Sequence, residues 1–101
     1  MLSSHGVVYV ECASKRQEAE VSDLISSYGI GWCHYAPKLW LLSSRGPWPC
    51  SSADLRRFLH ALKPRPRNVL VVYCTLEEAS VFTAVDELGS WLRSEWGFRT
   101  D

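Results

Sequence analysis

His34 and Glu11 are the side chains whose type and placement could support chemistry in this chain. His34 stands beside Tyr35 in a strand-like run, and a neutral imidazole near pH 7 suits a general base or a stacking partner for a nucleic-acid base. The ordinary alternative is a half-buried strand histidine. Glu11 lies near the end of Gly6 to Cys12 (GVVYVEC) and shares an alternating face with Val7 and Tyr9. Its ordinary alternative is a strand-end carboxylate facing solvent or an arginine. No Ser or Cys has a base and an orienting acid at motif spacing, so nucleophilic hydrolysis has no support. No G-x-G-x-x-G or Walker pattern occurs, so a nucleotide cofactor is not indicated.

A second kind of chemistry, contact with phosphates, is suggested by the charge distribution. Eleven Lys plus Arg balance eleven Asp plus Glu, which removes the steering field of a basic domain. The charges are nevertheless segregated. From Arg45 to Arg67 six basic residues (Arg45, Arg56, Arg57, Lys63, Arg65, Arg67) meet one acid, Asp54, whereas from Glu77 to Glu95 five acids meet one base, Arg93. With Trp48 in its loop, the basic stretch reads as a phosphate-tracking groove with one stacking platform. A solvated helix face beside a loop is the plainer reading, because Arg56, Arg57 and Lys63 fall off the apolar stripe.

The five tryptophans point to protein contacts. Trp40 and Trp91 fit core positions, while Trp32, Trp48 and Trp96, with Tyr9, are candidates for a partner surface, where aromatic anchors are enriched. The four cysteines (Cys12, Cys33, Cys50, Cys74) stand at least seventeen residues apart with no C-x-x-C pair. They read as free thiols of a reducing cytoplasm rather than as a zinc site.

These residues must be positioned by elements that the hydrophobic spacing lays out. Gly6 to Cys12 predicts a strand. Val21, Leu24, Ile25 and Tyr28 repeat at helical spacing and predict a helix from Lys15 to Tyr28, stopped by Gly29. Ile30 to Tyr35 and Leu39 to Ser44 predict a hairpin turning at Ala36, Pro37 and Lys38, and Arg45 to Cys50 (RGPWPC) a loop. Ser51 and Asp54 form a capping box before a second helix with the stripe Leu55, Phe58, Leu59 and Leu62, ended by Pro64 and Pro66. Asn68 to Thr75 (NVLVVYCT) is the most apolar strand, and a third helix follows from Phe82 to Trp96 with Gly97 as its cap. Ser80 to Val85 equally suits a short extra strand.

The order β-α-β-β-α-β plus a C-terminal helix predicts an α+β fold, a ferredoxin-like sandwich. Both alternating faces of the first strand are largely apolar, so the sheet face away from helices one and two needs cover from the third helix or a second subunit. At 101 residues, 47% apolar and 22% charged, the whole chain, 1–101, forms one domain that buries roughly two-thirds of its unfolded surface. Disorder is excluded. Met1 to Ala13 lacks a signal-peptide pattern and the longest apolar run, Val69 to Cys74, cannot span a bilayer, so a cytoplasmic protein without membrane contact is expected.

Gly29 to Ser44 (GIGWCHYAPKLWLLSS), Ser52 to Leu59 (SADLRRFL), Arg67 to Tyr73 (RNVLVVY) and Ser90 to Trp96 (SWLRSEW) resemble the small CRISPR-associated adaptation subunits and their SinR-like relatives. The resemblance spans Gly6 to Trp96 and implies a homodimer of ferredoxin-like domains. Some members are metal-dependent nucleases with an Asp at the end of strand one. Glu11 stands there in this chain, so the resemblance implies Glu11 as catalytic and metal-binding carboxylate, paired across a dimer axis and holding Mg²⁺ or Mn²⁺. The longer Glu stem displaces that carboxylate by more than an ångström by order of magnitude, which tight metal placement does not tolerate.

Three readings follow. The first is a small homodimeric binding or adaptor module that contacts protein, or weakly contacts nucleic acid, without catalysis and without a cofactor. The second is a metal-dependent endonuclease using paired Glu11, and the third a mobile-element inhibitor that occupies a surface of a bacterial defence complex.

Overall fold

The computed structural model describes residues 4–75, 80–81, 86–96 and 99–100. Its first strand, β1 (His5–Val10), lies inside the sheet, because its alternating Val and Tyr side chains have apolar neighbours on both faces. Helix α1 (Lys15–Ser26) starts at Ser14, whose Oγ accepts from Gln17 N–H, while Gln17 Oε1 accepts from Ala13 N–H. This Ser-x-x-Gln exchange satisfies one orphan donor of the first turn and the amide just ahead of the cap. The helix stops two residues before the predicted Tyr28, and Gly29 carries the chain onward at φ 70°, a left-handed value that favours glycine.

Strands β2 (Gly31–Ala36) and β3 (Leu39–Ser43) make the predicted hairpin. Helix α2 (Ser52–His60) is capped by Ser51, whose hydroxyl accepts from Asp54 N–H. Strand β4 (Val69–Cys74) then returns to pair with β1. The four strands form one antiparallel sheet in the order β2-β3-β1-β4. Each of the first two helices therefore joins strands that flank a third: β1 and β2 flank β3, and β3 and β4 flank β1. The α+β class predicted from the element order is the class observed.

Two cores fill the two sides of this sheet. On one, Val8, Val10, Trp40 and Leu42 of the sheet meet Val21 and Ile25 of α1 and Leu55 and Leu59 of α2. On the other, helix α3 (Asp86–Trp91) and the wider π-type turn Leu92–Trp96 set Leu92 and Trp96 against Cys33 and Leu41. The Trp96 indole N–H donates to the Leu42 carbonyl at 2.8 Å. The third helix thus supplies the cover that the apolar second face required, but only in part: Leu70 and Val72 of β4 remain 54% and 40% exposed. Phe58, assigned by its spacing to the buried stripe of α2, is 49% exposed, since the core side of this short helix is occupied by Leu55 and Leu59.

Residues 82–85 of the predicted third helix, and its cap Gly97, lie outside the described residues. Ser80–Val81 (β5) is a strand, as the alternative reading had it, and pairs in parallel with Arg99–Thr100 (β6). No helix of the described residues is long and apolar enough to cross a membrane.

Candidate functional site

One end of the sheet gathers side chains that are far apart in sequence. Glu11 follows β1, and its backbone N–H donates to the Asn68 carbonyl at 3.0 Å, carrying the ladder one residue past the strand. The Tyr9 hydroxyl donates to Glu11 Oε1 at 3.0 Å and the Asn68 amide to Oε2 at 3.1 Å. The Asn68 bond foremost, then the Tyr9 bond, with Lys38 and Arg67 adding attraction, hold the Glu11 carboxyl below the usual carboxylate range. The same bond to Glu11 raises the Tyr9 phenol.

Lys38 reaches this end because the β2–β3 turn is tied to β1: Val10 N–H donates to the Lys38 carbonyl at 2.9 Å. Arg67 arrives from the opposite side on the loop between α2 and β4. That loop is anchored where the Gln17 side-chain amide donates to the Pro64 carbonyl and where Pro66 is buried. Lys63 and Arg65 sit exposed on the same loop. The result is an end bearing Lys38 and Arg67 near one carboxylate whose two oxygens each already accept a hydrogen bond, with Lys63 and Arg65 further back on the loop. A divalent cation would have to compete with those two donors and approach against Lys38 and Arg67. Among the described residues no cluster of three or more His, Cys, Asp or Glu is arranged to hold a metal.

The other members of the basic stretch do not join this end. Arg45 follows β3, which runs antiparallel to β1, so it lies at the far end of the sheet, 3.7 Å from Glu95 across a rim where it is almost fully exposed. Arg57 is paired with Asp54 of its own helix at 2.6 Å, and Arg56 is exposed on α2. Beside Arg45 and Glu95 an open cleft of about 460 Å³ is lined by Tyr28, Ile30, Pro47 and Pro49, and the Ser43 hydroxyl donates to Glu95 at 3.5 Å.

The aromatic candidates are mostly spent on the interior. Trp48 stacks on Tyr73 with ring centroids 4.1 Å apart and planes 5° from parallel. It closes over Gly6, where an added Cβ would lie 3.2 Å from the Trp48 ring and 3.2 Å from Tyr73. That half-buried indole is a lid on the first core, with one of its faces taken by Tyr73. Trp96, expected at a partner surface, is buried at 8% exposure and meets His5 edge-on. Trp32 is half-buried against the first core, Trp40 takes its predicted core position, and Trp91, also expected in the core, is half-buried against the second core.

His34 is held equally firmly. It stacks on its cross-strand partner Trp40 at 4.2 Å, donates from Nε2 to the Pro37 carbonyl at 3.2 Å, and lies 3.7 Å from Glu18. These contacts describe the half-buried strand histidine. All four cysteines are free thiols, and burial pushes those of Cys12 and Cys33 up to about 11, away from nucleophilic reactivity.

The residue that sequence reasoning missed is Lys38. It lay outside the basic stretch, and only its position in the turn leading into β3, the strand that pairs with β1, signalled that it would come near Glu11. No family model, curated protein or solved structure matches this chain.

Proposed function

We propose that this protein is a ferredoxin-like β-α-β-β-α-β domain, of the design that its sequence resembles in the small CRISPR-associated adaptation subunits. It acts as a homodimeric binding module that contacts the phosphate backbone of nucleic acid and performs no reaction of its own. The fold reading is supported by the strand order, which read from the other edge is β4-β1-β3-β2, with two split β-α-β crossovers. The functional reading is carried by one observation: exposed Lys38, whose carbonyl is bound by Val10 N–H, and exposed Arg67, next to the Asn68 that binds Glu11, are twenty-nine positions apart yet stand at one end of the sheet, with Lys63 and Arg65 on the same anchored loop.

Exposed cations clustered at one end neutralise phosphates without reading sequence. Because Trp48 is engaged by Tyr73, backbone contact outweighs base stacking, and duplex and single strands of equal charge bind alike. The test is anisotropy titration of a labelled duplex. With three to four phosphates engaged, affinity falls about a hundredfold between about 50 and 200 mM salt. Lys38→Glu with Arg67→Glu abolishes binding, and Arg45→Glu at the opposite end leaves it unchanged. Salt-independent binding, or equal loss in both variants, would contradict the assignment.

A further inference from the structure

Among the described residues, the large apolar side chains left in solvent are Phe58, Leu70 and Val72. Two lie on β4 and the third on α2, the helix that packs on β4. Strand β4 is also the outermost strand of its sheet, and its six residues, VLVVYC, contain no charge and no proline. Its pairing with β1 runs without a break from Val10↔Val69 to His5↔Cys74. A straight, uncharged edge with apolar side chains beside it is what soluble proteins ordinarily avoid unless it is used.

The direction of its open hydrogen-bonding groups follows from one contact. Glu11 N–H donates to the Asn68 carbonyl, so the alternation of an antiparallel ladder turns the backbone groups of Leu70, Val72 and Cys74 toward β1. Those of Val69, Val71 and Tyr73 therefore face outward.

We infer that the outer edge of β4 pairs antiparallel with β4 of a second copy about a two-fold axis at Val71, joining two sheets into one of eight strands. This inference deepens the homodimeric part of the reading above and rests on it. Antiparallel pairing about Val71 sets Val69 opposite the second copy's Tyr73 and Val71 opposite its own equivalent. Every outward N–H and carbonyl of the strand then finds a partner. The same register sets Leu70 opposite the second copy's Val72, twice by symmetry, at the closer non-hydrogen-bonded positions of the open face. The two exposed side chains thus cover each other.

Charge selects the orientation. Arg65 and Arg67 precede the strand. Parallel pairing would bring the basic lead-ins of the two copies side by side, whereas antiparallel pairing sets them at opposite ends of the joined strands. An edge that matches itself in register and side chains favours a second copy over an unrelated strand.

The experiment is light scattering of the full chain at concentrations from about 1 µM to 0.1 mM, a range that covers weak and firm dimers. Wild type is expected at twice the monomer mass, and Leu70→Lys with Val72→Lys at the monomer mass with an unchanged circular dichroism spectrum. A second variant, Leu70→Cys with Val72→Cys, is expected to give a reducible covalent dimer on mild oxidation, because each new thiol faces the other across the axis. Monomeric wild type throughout the range would overturn the inference, as would a dimer that survives both lysines or a failure of the double-cysteine variant to cross-link. Duplex titration of the double-lysine variant separates the two proposals: binding that persists in a monomer leaves the phosphate contact standing and removes only the pairing.

Discussion

At one edge of the sheet, β2 loses register between His34 and Ala36 and packs under α3. At the other, β4 follows β1 without interruption and holds Leu70 and Val72 in solvent. Both edges expose backbone groups of the same kind, so the difference lies in how each is protected. A bulge twists an edge away from incoming strands, and a helix laid beside it removes the apolar face that would reward pairing. β2 has both devices, whereas β4 has α2 on one face only: its register is unbroken and, among the described residues, its Leu70 and Val72 face is left open. In the proposed dimer β4 is accordingly the side that pairs, and the β2 side is scaffold.

The contrast is broken most severely from the β2 side. Trp96→Ala is expected to destabilise the domain by about 3–5 kcal/mol, because it empties the second core and leaves the Leu42 carbonyl without its indole donor. Urea denaturation measures this, and a loss below about 1 kcal/mol would mean that α3 is a dispensable cover. By contrast, Val72→Lys on β4 is expected to leave the unfolding midpoint of dilute protein within about 0.5 kcal/mol of wild type while abolishing the dimer. Cooperative destabilisation by that lysine would show that Val72 belongs to a core rather than to an interface.

A smaller effect separates the thiols of the two edges. Cys33 of β2 is buried, with its thiol pushed up to about 11, whereas Cys74 of β4 is half-buried. Maleimide labelling of dilute native protein near pH 7 is expected to modify Cys74 at least about tenfold faster than Cys33. Comparable rates would place the weaker packing on the β2 side.

The smallest effect concerns the carboxylate at the end of β1. Because the folded state lowers the Glu11 carboxyl through Asn68 and Tyr9, its stabilising contribution is full above the unfolded carboxyl value. That contribution fades as pH falls toward and through the lowered folded value. Glu11→Gln is expected to flatten the acid limb of stability against pH by slightly lowering stability at neutral pH while leaving the acid end unchanged, as thermal melts from acid to neutral pH would show. An identical acid limb in both proteins would remove Glu11 from that role.

How far all this could be read from the sequence differs by level. Elements whose apolar spacing spans several turns or a full strand were legible: α1, the hairpin, α2 and β4 lie where their periodicity puts them, within two residues. The class of fold followed from their order. What periodicity could not convey was which of two apolar-compatible environments a side chain enters. Phe58 fits the stripe of α2 yet is exposed, since a helix of nine residues is covered by Leu55 and Leu59 alone. Trp48 and Trp96 looked surplus to a small core, but Gly6 leaves room for one ring and the π-type turn swings the other beneath Leu42. The candidate site was half legible for a similar reason. Cations adjacent in sequence were grouped together, although the strand order sends Arg45 to one end of the sheet and Arg67 to the other, the end that also carries Lys38.

Residue-resolved amide hydrogen exchange at low and high protein concentration tests the unequal edges most directly. The Leu70, Val72 and Cys74 amides, bonded to β1, are expected to be protected at both concentrations. The Val69, Val71 and Tyr73 amides are expected to exchange freely in dilute protein and to gain protection as concentration rises. Concentration-independent exchange at Val69, Val71 and Tyr73, or protection that grows along Gly31–Ala36 instead, would contradict the assignment of β4 as the pairing edge.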